Sequence, residues 1–290
     1  MGDSKFKVAD GQQLNNSNYV LPNDSGEEER LNIQHLIFKH AFNGSFSAPV
    51  DQLLKSGARV LDVWLVERCC GSAAWTLELA KKYPNSNFIG IDIAPVVLAD
   101  EKPSNVEFVE HNVLDGLPFD SNSFDYVFAR AAVSVYTRTQ WTELAIPEYT
   151  RVTKPGGWVE LMEFDALRGE DDINIQRVYD AWVILAEPKG LVVSPGSEIR
   201  GFLEQSGWLT NIGYVEKSIP IGPKGEKYAE MAIRSFQDVW RGLKIPFSAV
   251  MQVTGEQYDA IIEAAVQGLI DKGTTWKNMR VWGQKKDNSV

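Results

Sequence analysis

The sequence predicts an α/β protein with a doubly wound, mostly parallel sheet of seven strands. Short apolar runs alternate with amphipathic helical runs between residues 58 and 164. Strands that alternate with helices need crossover connections, which cover both faces of a parallel sheet with helices. Two more strand-like runs come late in the chain and lie far apart, and they bring the number of strands to seven.

The individual elements follow from the periodicity of the apolar residues. The first predicted helix begins with three glutamates, whose negative charges interact favourably with the helix dipole at its N-terminus. The predicted helices cover residues 27–42, 75–83, 139–153, 173–187, 197–207, 227–243 and 255–273. The predicted strands cover residues 58–63, 87–92, 106–110, 124–129, 156–164, 211–221 and 275–286.

The same pattern predicts one domain with an N-terminal extension. Residues 1–18 are polar, and we expect them to form a disordered tail. Residues 19–54 are expected to form a helical extension. Residues 55–286 form the domain itself, because no linker-like stretch interrupts the alternation of strands and helices.

Composition limits the classes of partner. The 290 residues are 44% hydrophobic, as in globular proteins with a real core. The formal net charge is −10, and nucleic-acid affinity depends largely on cationic contacts, so nucleic acid is not an expected partner. No long uncharged apolar stretch and no secretory signal is visible, so we expect no membrane partner and a cytoplasmic location, with the nucleus as a second option. Nothing in the sequence specifies an oligomeric state.

The cysteines and two of the histidines do not indicate a metal site. Cys69 and Cys70 are adjacent, so they rarely reach disulfide geometry and offer no further cysteine for zinc. His35 and His40 are five residues apart on the first helix, and therefore do not share a face well. We expect both histidines to be structural.

Polar residues stand where the predicted strands end, and ligands of open parallel sheets bind beyond these carboxyl ends. Asp92 ends the second strand, where a carboxylate can accept both hydroxyls of an adenosine ribose. Asn112 follows the third strand, where its amide and the backbone of Val113 could meet an adenine edge. Arg130 follows the fourth strand, where reacting groups should gather. The structural alternatives are a solvated Asp92, a turn-forming Asn112 and a salt-bridging Arg130.

Five motifs occur in a fixed order along the chain: RVLDV, NFIGID, HNVLDGLPF, SFDYVFAR and VTKPGGWVELME. With these motifs the chain resembles the class I S-adenosylmethionine-dependent methyltransferases over about residues 19–165. Its segment YVLPNDSGEEERLNIQH is similar to fungal methyltransferases, including regulators of secondary metabolism. The resemblance implies the Rossmann-like fold of that family with antiparallel last strands, which the two late strands fit. It also implies S-adenosyl-L-methionine as cofactor, and a small molecule or a protein as methyl acceptor.

The chain departs from the family in the loop after the first strand, where the pattern D-x-G-x-G-x-G is expected. Gly71 aligns with the second glycine and Ala73 with the third, but Trp64–Cys69 stand in place of the first. The insertion could extend the strand, bulge outward or fill the pocket. The alternative function is therefore a catalytically impaired interaction or regulatory module. The resemblance implies these cofactor-binding residues: Asp62, Gly71, Asp92, Ile93, Asn112, Val113 and Arg130.

No catalytic residue is evident from the sequence. Methyl transfer from a sulfonium is an in-line displacement that depends mainly on alignment, and a general base is needed only for a protonated acceptor. Glu163 is the first carboxylate to test as a base, while Tyr136 and His111 could border the acceptor pocket. A nicotinamide-dependent dehydrogenase also needs an acid after its second strand, but CCGSAAW lacks its G-x-G-x-x-G loop.

Overall fold

A seven-stranded sheet forms the centre of the molecule. The computed structural model describes residues 6–9, 12–15, 25–64, 73–93, 102–132, 135–222 and 227–287. The strands of the sheet are β1 (Arg59–Val63), β2 (Asn87–Asp92), β3 (Val106–Glu110), β4 (Phe124–Arg130), β5 (Thr153–Phe164), β6 (Leu209–Pro220) and β7 (Thr275–Lys285). They lie in the order β3-β2-β1-β4-β5-β7-β6.

The strand directions confirm the predicted fold class. β1 pairs in parallel with both β2 and β4, and β3 and β5 extend the parallel sheet on either side. β7 runs antiparallel to its neighbours β5 and β6. The strand order reverses at β1, so the edge beyond the end of β1 is the place where such a sheet binds ligands.

Apolar runs form the central strands because both faces of the sheet are covered. Successive side chains of a strand point to opposite faces of the sheet, so each strand contributes side chains to two cores, one on each face. Val60, Phe88 and Phe128 belong to the core on one face. Leu61 and Ile89 belong to the core on the other face.

The helices pack on these two faces. They are α1 (Ser25–Ala41), α2 (Asp51–Ser56), α3 (Ala74–Lys82), α4 (Arg138–Gln140), α5 (Ile146–Val152), α6 (Ile173–Ala186), α7 (Ile199–Gln205), α8 (Lys227–Gly242), α9 (Lys244–Met251) and α10 (Gly255–Lys272). A π-helical turn, Trp141–Ala145, joins α4 to α5, and Pro147 lies in the first turn of α5, where a missing N–H is tolerated. Capping boxes start α4 and α10. Within the described ranges, no helix combines the length and apolar character needed to cross a membrane.

The structure adds elements that periodicity alone does not predict. The short helices α2 and α9 contain too few turns to show a clear pattern. Strands Phe6–Ala9 and Gln12–Asn15 pair as an antiparallel hairpin inside the segment expected to be a disordered tail. Asp10-Gly11, between these strands in the sequence, is a residue pair that favours hairpins.

The described part of the N-terminal extension shares the core of the domain. Ile37 and Phe38 of α1 lie in the same apolar cluster as Val60 of β1. The following loop is held by Glu160, which is fully buried in β5 and accepts hydrogen bonds from the backbone N–H groups of Ser47 and Ala48, the latter at 2.8 Å. The extension therefore packs on the face of the sheet that carries Glu160, while the boundary after residue 54 stays a prediction.

Candidate functional site

Three charged side chains meet at the carboxyl edge of the sheet. Asp62, Asp92 and Arg130 stand at the ends of β1, β2 and β4, the strands on either side of the point where the strand order reverses. Alternation along each strand places all three on the face covered by α1. Asp62 lies opposite Gly90 and Phe128 in the sheet, so Asp92 and Arg130 lie two residues further along the neighbouring strands. Asp62 and Arg130 are close enough for the charge of each to shift the pKa of the other.

Asp62 is a buried carboxylate with one oxygen satisfied. It is 1% exposed, and the Thr76 hydroxyl at the start of α3 donates to Oδ2 at 2.6 Å. Among the described residues no donor meets Oδ1 with full hydrogen-bond geometry, although the Trp64 side chain is close enough to donate weakly to the carboxyl group. Burial raises the pKa of Asp62, while the charge of Arg130 and the side chains of Thr76 and Trp64 lower it. A buried acceptor without a donor is costly, so Oδ1 is suited to a donor that a ligand supplies.

Arg130 lies between this carboxylate and helix α1. Its Nη1 is 3.0 Å from Nδ1 of His35, which is 5% exposed. A guanidinium has only donors, so Nδ1 accepts this bond and the imidazole carries its proton on Nε2. Nε2 then donates to Glu78 Oε2 at 3.1 Å.

Glu78 of α3 is the acceptor at the far end of this chain of contacts. Besides His35, it accepts hydrogen bonds from Lys39 at 2.7 Å and from the Ser45 hydroxyl at 2.6 Å. Burial alone would raise the pKa of Glu78, but the hydrogen bonds from His35, Lys39 and Ser45 lower it to about 2. His35 and Glu78 are residues that sequence reasoning missed, because no local pattern links two positions 43 residues apart.

The residues expected to meet an adenosine lie at the ends of β2 and β3. Asp92 is 1% exposed, and its carbonyl accepts a hydrogen bond from His111 N at 2.7 Å, which joins the two strand ends. The side chain of Asn112 accepts from Leu114 N at 3.0 Å and caps the 3₁₀ turn Val113–Asp115. Asn112 therefore has the turn-forming role, and its amide nitrogen is the atom left to face a ligand. The Val113 N–H opens the turn, where no intrahelical acceptor exists.

The insertion begins as an extension of β1. Trp64 N donates to the carbonyl of Ile91 at 2.9 Å, and the Trp64 ring lies 5.5 Å from the Phe108 ring. Both rings cover Gly90, where a Cβ would lie 2.9 Å from Phe108 and 3.2 Å from Trp64. Trp64 thus follows the first of the three predicted alternatives, extension of the strand.

At the other end of the insertion, Ala73 has φ +48°, the left-handed conformation that favours glycine. This backbone suits its alignment with the third glycine of the family pattern. Gly71 and residues 65–70 lie outside the described residues. Ile93, half-buried, is the last described residue after β2.

The candidate base and the two residues expected near the acceptor form hydrogen bonds within the protein. Glu163 is buried and accepts from Ala132 N at 2.6 Å, so it fixes the backbone that follows β4. Tyr136, expected near the acceptor pocket, is 1% exposed, and its hydroxyl meets that of Tyr149 at 3.0 Å. Its place beside the acceptor stays a prediction. His111 bonds the carbonyl of Gly116 at 2.9 Å.

Comparisons with known proteins show that the chain is similar to methyltransferases. A family model described as a methyltransferase domain matches residues 65–157. The N-methyltransferase sirN of Leptosphaeria maculans is 26% identical over 285 residues, covering 94% of this chain and 97% of the relative. The secondary metabolism regulator LAE1 of Cochliobolus heterostrophus is 32% identical over 161 residues, covering 54% of this chain and 49% of the relative. The predicted similarity to fungal methyltransferases and to such regulators is confirmed.

A solved structure shares the fold. The phosphoethanolamine N-methyltransferase 2 of Haemonchus contortus, in complex with S-adenosyl-L-methionine, superposes with a TM-score of 0.53 at 16% identity. The match covers 93% of this chain but only 55% of that longer chain.

Proposed function

We propose that this chain, which belongs to the class I S-adenosylmethionine-dependent methyltransferases, methylates a nitrogen atom of a small molecule with S-adenosyl-L-methionine as the donor. The choice of nitrogen rests on the name of the fungal relative, because the alignment with it spans nearly the full length of both chains. When bound, the cofactor supplies an electrophilic methyl group on a sulfonium.

The observation that carries the proposal is the proximity of Asp62 and Arg130 at the reversal point of the sheet, where the charge of each shifts the pKa of the other. The amino-acid end of the cofactor is a zwitterion, with an ammonium group and a carboxylate. The buried Oδ1 of Asp62 is suited to the ammonium, and the guanidinium of Arg130 to the carboxylate. The ligand would thereby supply a donor to a buried oxygen that has none among the described residues.

The remaining predicted residues fit the rest of the cofactor. We assign Asp92 to the ribose hydroxyls, and Asn112 with the Val113 N–H to the adenine edge. Ile93 contributes an apolar contact beside the adenosine, and Gly71 permits close approach of the backbone.

Aromatic packing near the end of β5 supports a small acceptor. Phe164 at the end of β5 packs against Trp276 of β7 at 4.8 Å between ring centroids, and Phe38 of α1 and Phe236 of α8 pack on the same indole. These rings form one apolar cluster near the carboxyl edge of the sheet, which we take to favour a small molecule over a protein chain. The protein's contribution to the reaction is then alignment of the acceptor, with Glu163 fixing the backbone after β4.

Calorimetric titration of the purified full chain with S-adenosylhomocysteine tests the proposal. We expect one site per chain, and an Asp62→Asn variant that binds more weakly. Absence of binding by the wild type would favour the impaired module instead. Mass-spectrometric detection of methyl transfer to a panel of amines and amides would then identify the acceptor class.

A further inference from the structure

Helix α1 reaches the cofactor edge through one side chain. His35 is bonded at both ring nitrogens, with Arg130 Nη1 at 3.0 Å from Nδ1 and Glu78 Oε2 at 3.1 Å from Nε2. These partners belong to β4 and α3, which both end or begin at the carboxyl edge of the sheet. A single side chain of the N-terminal extension therefore joins two elements of the site.

We infer that His35 is a positioning residue for the cofactor site: it holds the Arg130 guanidinium opposite Asp62 and so makes helix α1 part of that site. The inference rests on the proposed function, in which Arg130 meets the cofactor's carboxylate. Arginine side chains have many rotamers, and fixing one of them before binding lowers the entropic cost of binding.

The neighbours of His35 show that the link to Arg130 is separable from the packing of α1. Glu78 keeps its bonds from Lys39 and Ser45 when the imidazole is removed, so α1 stays tied to α3. The loop after α1 is held independently, because Trp75 Nε1 donates to the Ser45 carbonyl at 2.6 Å. Loss of the imidazole thus releases Arg130 while these other contacts remain.

The contact also requires a neutral imidazole. A proton on Nδ1 would place an N–H donor against the donors of Arg130. The charged groups that face the ring are Lys39 on its own helix, Glu78 on α3 and Arg130 on β4, and Asp62 of β1 faces Arg130 from the other side. Burial lowers the pKa of His35 from 6.5. The hydrogen bond to Glu78 raises this pKa, and the charge of Arg130 lowers it further. The contact is therefore intact at pH 7.5 and is lost as the pH falls through a pKa below 6.5.

Calorimetry with S-adenosylhomocysteine on the full chain at pH 7.5 and over a series of lower pH values tests this inference. At pH 7.5, H35L should bind about tenfold more weakly than the wild type, while H35Q, whose amide offers both an acceptor and a donor, should bind within about twofold. As the pH is lowered through the pKa of His35, the wild type should lose affinity by a larger factor than H35Q. H40Q is the matched control, because His40 lies on the same helix but stacks on Tyr228 at 3.6 Å, and it should behave as the wild type.

A second measurement needs no ligand. Nuclear magnetic resonance of the three histidines should show His35 as the Nε2–H tautomer at pH 7.5, and Arg130→Met should raise its pKa. An unchanged pKa in that variant would overturn the inference, as would H35L binding as tightly as a wild type that binds well. A wild type that does not bind S-adenosylhomocysteine would overturn the proposed function itself, and the inference with it.

Discussion

Replacement of Asp62 by asparagine should separate function from stability. In the free protein the Asp62 carboxylate is buried, one of its oxygens lacks a donor among the described residues, and burial raises its pKa. A group whose pKa is raised by folding contributes stability below its unfolded pKa and loses it as the pH rises through the folded pKa. The ionised form of the side chain is therefore a cost to the fold, and the amide should leave the free energy of unfolding unchanged or increase it.

The same substitution should weaken cofactor binding. A hydrogen bond to a charged group contributes about 1.5–3 kcal/mol, which corresponds to roughly 10- to 150-fold in affinity. Calorimetry with S-adenosylhomocysteine measures the affinity, and urea denaturation of the free protein measures the stability. Asp125→Asn is the matched control, since Asp125 lies on β4 near the opposite edge of the sheet and pairs with Lys154 at 2.8 Å. An Asp62→Asn protein that unfolds more easily and binds normally would refute the reasoning.

Three further predictions concern other parts of the molecule. Asp92→Ala should weaken S-adenosylhomocysteine binding by about 1.5–3 kcal/mol and Asn112→Ala by about 0.5–1.5 kcal/mol, because the second bond is neutral; a reversed order in calorimetry would contradict the assignment. Replacing Trp64–Cys69 by one glycine rebuilds the family loop and should raise affinity at least about tenfold, whereas an already tight wild type with no gain would show that the insertion is harmless. Glu160→Ala should lower the free energy of unfolding by about 3 kcal/mol or more in urea denaturation, since it leaves buried donors unsatisfied; a loss below about 1 kcal/mol would contradict this.

The position of the charged group at the sheet edge could be predicted because topology dictates it. Apolar runs end at Asp62, Asp92 and Arg130, and parallel strands bring their carboxyl ends to one edge wherever they lie in the sequence. Alternation then decides which face each side chain takes. These inferences need only the strand pattern, so they were available from the sequence.

The contacts that complete the group could not be predicted in this way. His35 meets Arg130 across 95 positions and Glu78 across 43, and only the packing of α1 on the sheet brings them together. The five-residue spacing of His35 and His40 excluded a shared metal but gave no sign of a contact with Arg130. The burial of Tyr136 and its contact with the Tyr149 hydroxyl could not be predicted either, because the strand pattern does not show which side chains of different elements pack together.

Two buried carboxylates on the same face of the sheet differ in the hydrogen-bond donors that the described residues supply to their oxygens. Glu160 has both oxygens occupied, by the backbone N–H groups of Ser47 and Ala48 and by the Tyr126 hydroxyl at 2.9 Å. Asp62 has one oxygen bonded by Thr76 and one that meets no donor in the described residues. Folding alone explains the contacts of Glu160, because both of its buried oxygens accept hydrogen bonds from the protein. Folding does not explain the buried Oδ1 of Asp62, which would stabilise the protein only when a ligand brings a donor. Bound S-adenosylhomocysteine should therefore raise the melting temperature of the wild type, and this gain should shrink in Asp62→Asn but not in Asp125→Asn.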